Sequence, residues 1–157
     1  MQRRLALAAG ISSLGVSMTA GCAALAPRPS VEELVAQVTA AEIAFAKTMT
    51  DRDFDAFLRF IAPEAVFTNG GKPLRGKIAI GDFWKRFYTA PSPPFSWKPD
   101  LVVVLDSGTL AQSIGPVAAP GGKVVSRFYS TWRLDADGQW RVVFDDGYDV
   151  CDCAAKP

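Results

Sequence analysis

The stretch Trp132-Arg133-Leu134-Asp135-Ala136-Asp137-Gly138-Gln139-Trp140 decides the fold. Asp135-Ala136-Asp137-Gly138 is a turn signal ending in glycine. It separates two runs rich in β-branched and aromatic residues, Lys123–Leu134 and Gln139–Asp145. So short a link joins neighbouring strands into a hairpin. The pattern repeats upstream: Phe95–Leu105 and Thr109–Val117 are further strand candidates, with Asp106-Ser107-Gly108 between them and Pro120-Gly121-Gly122 after them. Four late strands joined by short turns predict an antiparallel sheet.

The first half of the chain reads differently. Ser30-Val31-Glu32-Glu33 is a capping box, in which Ser30 accepts from the Glu33 amide while Glu33 reaches back. Leu34, Val38, Ala41, Phe45 and Met49 then follow at helical spacing. Asp53 is the next N-cap, ahead of Phe54, Phe57, Leu58 and Ile61 on one face, and Pro63 is expected to close that helix. A short strand over Ala65–Thr68 runs into the turn Asn69-Gly70-Gly71. A third helix over 77–88 stacks Ile80, Phe83, Trp84 and Phe87, and Pro91, Pro93 and Pro94 forbid its continuation. Helices first and strands second give an α+β domain with its helices on one face of a curved antiparallel sheet.

This order resembles the nuclear transport factor 2-like superfamily, and within it the SnoaL-like branch of bacterial proteins. The residues that carry the likeness are Asp53-Phe54-Asp55-Ala56-Phe57, then Pro73-Leu74-Arg75-Gly76 leading into Ile80-Gly81-Asp82-Phe83-Trp84, and the hairpin quoted above. The resemblance implies a cone-shaped, cystatin-like fold, three N-terminal helices on the sheet, with a pocket at the open end and dimers formed sheet to sheet. It also permits a comparison with ketosteroid isomerases of that superfamily. Their chemistry needs a carboxylate base, a tyrosine and an aspartic acid kept protonated by its apolar surroundings. The positions matching tyrosine, base and second acid hold Phe45, Asn69 and Ser130. Phe45 has no donor and an amide accepts no proton at neutral pH. That isomerisation is therefore not expected, and Asn69 and Ser130 are left as polar handles for a ligand.

Composition removes other classes. The 157 residues contain no histidine, which excludes Ser-His-Asp and Cys-His nucleophile systems, HExxH zinc sites and His-ligated haem. Seventeen Lys and Arg against sixteen Asp and Glu leave no basic field for nucleic acid. No cofactor and no metal site is expected. The N-terminus reads as an export signal: Arg3 and Arg4 precede the apolar run Leu5–Ala20, short of the roughly 20 residues that span a bilayer. Thr19-Ala20-Gly21-Cys22 resembles a lipobox, with Thr19 where Leu is usual, so Cys22 is the lipidation candidate and ordinary cleavage nearby the alternative. The expected organisation is a signal peptide over 1–22, a tether over 23–30, a SnoaL-like domain over 31–150 and a tail over 151–157. The expected location is the periplasm, with a lipid anchor to the envelope.

Three groups of residues are candidates for function. Strand alternation puts Phe128, Ser130 and Trp132 on one face, opposite Phe67, Trp84 and Phe87. With Phe45 and Asn69 they form either an aromatic pocket for a small apolar molecule or an ordinary packed core. The acidic end, Asp145, Asp146, Asp149 and Asp152, reads as a solvated strand end or as an acid–base site through Asp145, the residue nearest the pocket in the family pattern. Alternation turns Asp145 and Asp146 to opposite faces. Cys151 and Cys153 are disulfide candidates, within the tail or between chains, with thiolate chemistry as the other reading. Arg127 reads as an exposed cross-strand charge or an anion contact. The functional expectation is an exported small-molecule-binding protein. A SnoaL-like isomerase, cyclase or hydrolase using Asp145, and an envelope protein without ligand, are the alternatives.

Overall fold

The computed structural model describes residues 28–69 and 71–150; the expected signal peptide, Cys22, Cys151 and Cys153 lie outside them. Helix α1 spans Val31–Asp51, opened by Ser30 with both hydrogen bonds of the capping box in place. It ends where Arg52 enters the left-handed region at φ 61°. That conformation is unfavourable for a residue with a Cβ, and the guanidinium holds it by donating to the carbonyls of Met49, Phe87 and Ala90. The inner stripe of α1 is Leu34, Val38, Glu42, Phe45, Thr48 and Met49, all buried. Helix α2, Phe54–Arg59, starts at Asp53, whose carboxylate accepts from the Ala56 amide at 2.8 Å.

Strand β1 runs Ile61–Asn69, longer than the sequence suggested, so Ile61 and Pro63 belong to a strand and not to the end of α2. Proline is tolerated there because the β1 register shifts between Ile61 and Val66, a bulged stretch in which the ladder needs no donor from residue 63. A two-residue strand β2, Leu74–Arg75, precedes helix α3, Lys77–Trp84, and the last turn of the expected helix, Lys85–Tyr88, is a 3₁₀ turn. The Phe95–Leu105 run is split into β3, Ser96–Trp97, and β4, Leu101–Val104, by Lys98-Pro99-Asp100. Then come β5 (Leu110–Ala118), β6 (Val124–Leu134) and β7 (Trp140–Asp149).

The sheet order is β2-β1-β7-β6-β5-β3, with β4 also on β5. The late strands are antiparallel as expected, but β1 lies parallel to β7, so the sheet is mixed. Glycine at 115 has a specific reason. A Cβ there would stand 2.0 Å from the Lys98 carbonyl oxygen, so only a residue without a side chain lets the β3–β4 connection cross β5 this closely. The helices cover the concave face, where Phe45 stacks on Phe57 at 5.2 Å and meets Trp97 and Trp132 edge-on at 5.5 and 5.8 Å. Aromatic pairs of this geometry contribute about 0.5–1.5 kcal/mol each beyond the area they bury.

Candidate functional site

A β-bulge sets the chemistry of the concave face. Trp140 and Val142 point inward from β7, and strict alternation would send Phe144 in after them. The β6–β7 register instead jumps from Trp132↔Val142 to Thr131↔Phe144, leaving Val143 as an extra, buried residue. Parity flips: Phe144 is 57% exposed on the outer face, and Asp145 turns inward opposite Ser130. Bulges commonly re-aim a side chain in this way beside functional sites.

Asp145 faces a hollow of about 280 Å³ walled by Phe45, Trp84, Phe95, Trp97 and Phe128, with Asp146 and Asp149 also on its border. The Ser130 hydroxyl donates to Asp145 Oδ2 at 2.7 Å. Desolvation pushes the Asp145 carboxyl up to about 7; the negative charges of Glu42 and Asp146 add to the rise, and the Ser130 hydrogen bond opposes it. A carboxyl of that acidity exchanges protons near neutral pH, which is what a general acid or base requires. Asp146 turns the other way, as alternation predicts, and accepts from the Tyr148 hydroxyl.

Behind the hollow stands a residue that sequence reading passed over. Glu42 is fully buried, and each of its oxygens takes one indole: Trp97 Nε1 donates to Oε1 and Trp132 Nε1 to Oε2, both at 2.8 Å. Burial raises its pKa, and the hydrogen bonds from the Trp97 and Trp132 indoles oppose the rise by favouring the charged form. The Ser113 hydroxyl is buried without a partner at hydrogen-bonding geometry. The signal was present in the sequence. Glu42 lies four residues after Val38 and three before Phe45, on the stripe that α1 buries, and a buried tryptophan wants an acceptor for its N–H.

Of the sequence candidates, Phe45, Trp84, Phe128 and Asp145 meet at the hollow. Ser130 and Trp132 do not line it, although they share a strand face with Phe128. They sit deeper along β6, fully buried, where Ser130 supports Asp145 and Trp132 bonds Glu42. Phe67 is core, packed edge-on against Trp84 at 5.8 Å. Phe87 is one layer out, against Trp84 and Phe95 at 5.5 and 5.3 Å. The Asn69 backbone ends β1 opposite Gly147, and its side chain lies outside the described structure. Phe95 and Trp97 were missed as walls because the break at Lys98-Pro99-Asp100 hides their inward turn. Arg127 is a surface ion pair, donating to both Asp100 oxygens at 2.7 and 2.9 Å.

An α+β cone of helices over a curved sheet, with a hollow between them, is the nuclear transport factor 2-like architecture, and solved structures agree. A ketosteroid isomerase-like protein from Erwinia carotovora matches with a TM-score of 0.61 at 17% identity, over 76% of this chain and 98% of its own. An NTF2-like protein of unknown function from Pseudomonas putida matches at 0.63 and 18%, over 78% and 91%. A cystatin-like fold protein from Burkholderia xenovorans matches at 0.61 and 21%, over 75% and 92%. The family model of the SnoaL-like domain matches residues 43–143, and the chain belongs to that family. No curated protein matches significantly.

Proposed function

We propose that this domain binds a small, largely apolar molecule in the aromatic hollow, with Asp145 as the group that orients it. The observation that carries the reading is the hollow itself: five aromatic walls around one inward-turned carboxyl. Enclosed apolar clefts with few convergent polar groups are the usual form of small-molecule sites. The larger open groove beside Lys47, Arg59 and Arg141 is a poorer candidate, since Lys47 is paired with Asp51 and Arg141 with Asp135 and Asp137. Export, lipid attachment at Cys22 and pairing of two copies through the sheet complete the proposal. The first two rest on residues 1–22 alone, and the third on the apolar outer face that exposes Leu101, Val103, Phe144 and Tyr148.

A second reading is favoured by one observation: a carboxyl with a pKa of about 7 stands in the cavity. Perturbed acidity in a cleft marks candidate catalytic groups. Asp145 would then move a proton on the bound molecule, without the tyrosine that Phe45 replaces. Glu42 cannot share that work while both its oxygens hold indoles.

The binding test uses the neutral fluorophore N-phenyl-1-naphthylamine. Saturable enhancement is expected with the intact protein, and Ala119→Trp, which fills space at a half-buried wall position, should weaken it by about tenfold or more. Enhancement that never saturates, or that Ala119→Trp leaves unchanged, contradicts the proposal.

A further inference from the structure

We infer that the hollow selects a small hydrophobic amine in its ammonium form, the cation seated against Asp145 and the aromatic walls. The inference rests on the reading of the hollow as a binding site and names the class of molecule it takes.

Charge is the first ground. Every ionisable residue bordering the hollow among the described residues is an aspartate: Asp145, whose carboxyl turns into it, with Asp149 at its border and Asp146, whose carboxylate turns to Tyr148. No lysine or arginine among them borders it, and the next charged group inward, Glu42, is also acidic. An anionic ligand would meet like charges in a partly dehydrated space, where repulsion is several times stronger than in water.

Geometry is the second. Ser130 engages Oδ2 of Asp145, while Oδ1 makes no hydrogen bond to any described residue. A neutral apolar ligand would exclude water from this oxygen and give it no donor, which is costly for a carboxylate. An ammonium group supplies the donors and the charge together.

The walls are the third. Phe45, Trp84, Phe95, Trp97 and Phe128 surround the space, and the faces of such rings attract cations, tryptophan most of all. Aromatic rings around a single inward-turned carboxyl suit an organic ammonium better than a sugar or a phosphate ester.

The test compares three probes with the same aromatic body by calorimetric titration of the intact protein: phenethylamine, 2-phenylethanol and 3-phenylpropionate. The amine is expected to bind about tenfold more tightly than the alcohol, and the acid not to bind detectably. Affinity for the amine should rise roughly five- to tenfold from pH 6 to pH 8 as Asp145 loses its proton, with the alcohol unchanged. The titratable groups whose charge acts on Asp145 are Glu42 from α1 and Asp146 beside it on β7, and Asp149 borders the same hollow; the neighbouring positions on β1, β6 and α3 are Phe67, Ser130 and Trp84. In Asp145→Asn the amine and the alcohol should bind alike, and the pH series on the unsubstituted protein decides the matter if that variant fails to fold. Equal or tighter binding of the alcohol, or amine affinity that falls from pH 6 to 8, overturns the inference and leaves the hollow a binding site. Failure of all three probes to bind overturns the inference, and if N-phenyl-1-naphthylamine also fails, the reading of the hollow falls with it.

Discussion

Replacing Glu42 with glutamine is expected to destabilise the fold by about 2–3 kcal/mol, and replacing it with alanine by about 4 kcal/mol or more. The carboxylate accepts two indole N–H groups that are donors only, Trp97 from the edge strand β3 and Trp132 from the central strand β6, so it ties α1 to two strands of the sheet. A glutamine side chain fits the same space, but its NH₂ must oppose one of the indoles, donor against donor. Alanine strands both donors and leaves a void beside Phe45. Chemical denaturation measures the loss. Small domains are stable by about 5–15 kcal/mol in all, so the alanine variant should be close to its folding threshold. The loss should also be coupled. In a Trp132→Phe background, where one donor is already gone, the step from glutamate to glutamine should cost roughly 1 kcal/mol less than in the parent. A glutamine variant within about 0.5 kcal/mol of the parent would mean that the two indoles do not depend on the carboxylate.

The second expected result is a protein most stable in mildly acid solution. Asp145 and Glu42 both have folded-state pKa values raised above their ordinary ones, so the folded chain binds their protons more tightly than the unfolded chain. Stability therefore falls as pH rises, for Asp145 from about pH 4 up to about 7. One pKa unit corresponds to about 1.4 kcal/mol. With the open side of Asp145 screened by water, the expected loss between pH 5 and pH 8 is about 2 kcal/mol. Below pH 4 the slope reverses, because Asp135, Asp137 and Glu64 are held below the usual carboxylate range by hydrogen bonds from Arg133 and Arg141, and protonating them removes what those bonds contribute. Calorimetry should place the highest Tm between about pH 4 and 6, and Asp145→Asn should flatten the fall toward pH 8. A parent Tm that climbs steadily from about pH 5 to 8 contradicts the assignment.

Much of this architecture is written locally. The Ser30 capping box, the helical stripe from Leu34 to Met49 and the turns at Asp106–Gly108, Pro120–Gly122 and Asp135–Gly138 are short-range signals, and the structure places caps and hairpins there. What could not be read depends on partners distant in sequence. The parallel pairing of β1 with β7, and the bulge that lets Pro63 into β1, are set by which strand β1 docks beside. The site shows the same division. Alternation gives the face of a side chain but not its depth along the strand, so Phe128 lines the hollow while Ser130 and Trp132, on the same face, are core. The extra residue at Val143 is invisible in a β-branched run, yet it decides that Asp145 points inward and Phe144 outward. Glu42 was legible in principle. A charged residue in the middle of an apolar stripe has to be paired, and the tryptophans that pair it stand 55 and 90 residues away.

The proposed function depends on the Asp145 carboxyl, which burial pushes up to about 7 inside the aromatic hollow. Carbon-13 NMR of the Asp145 side-chain carboxyl, assigned by its absence in Asp145→Asn and followed from about pH 3 to 9 without ligand, reads that state directly. A midpoint at about 7 is the predicted result; a midpoint near the ordinary aspartate value of about 4 would mean that the carboxyl faces water and that the hollow is not the enclosed site described here.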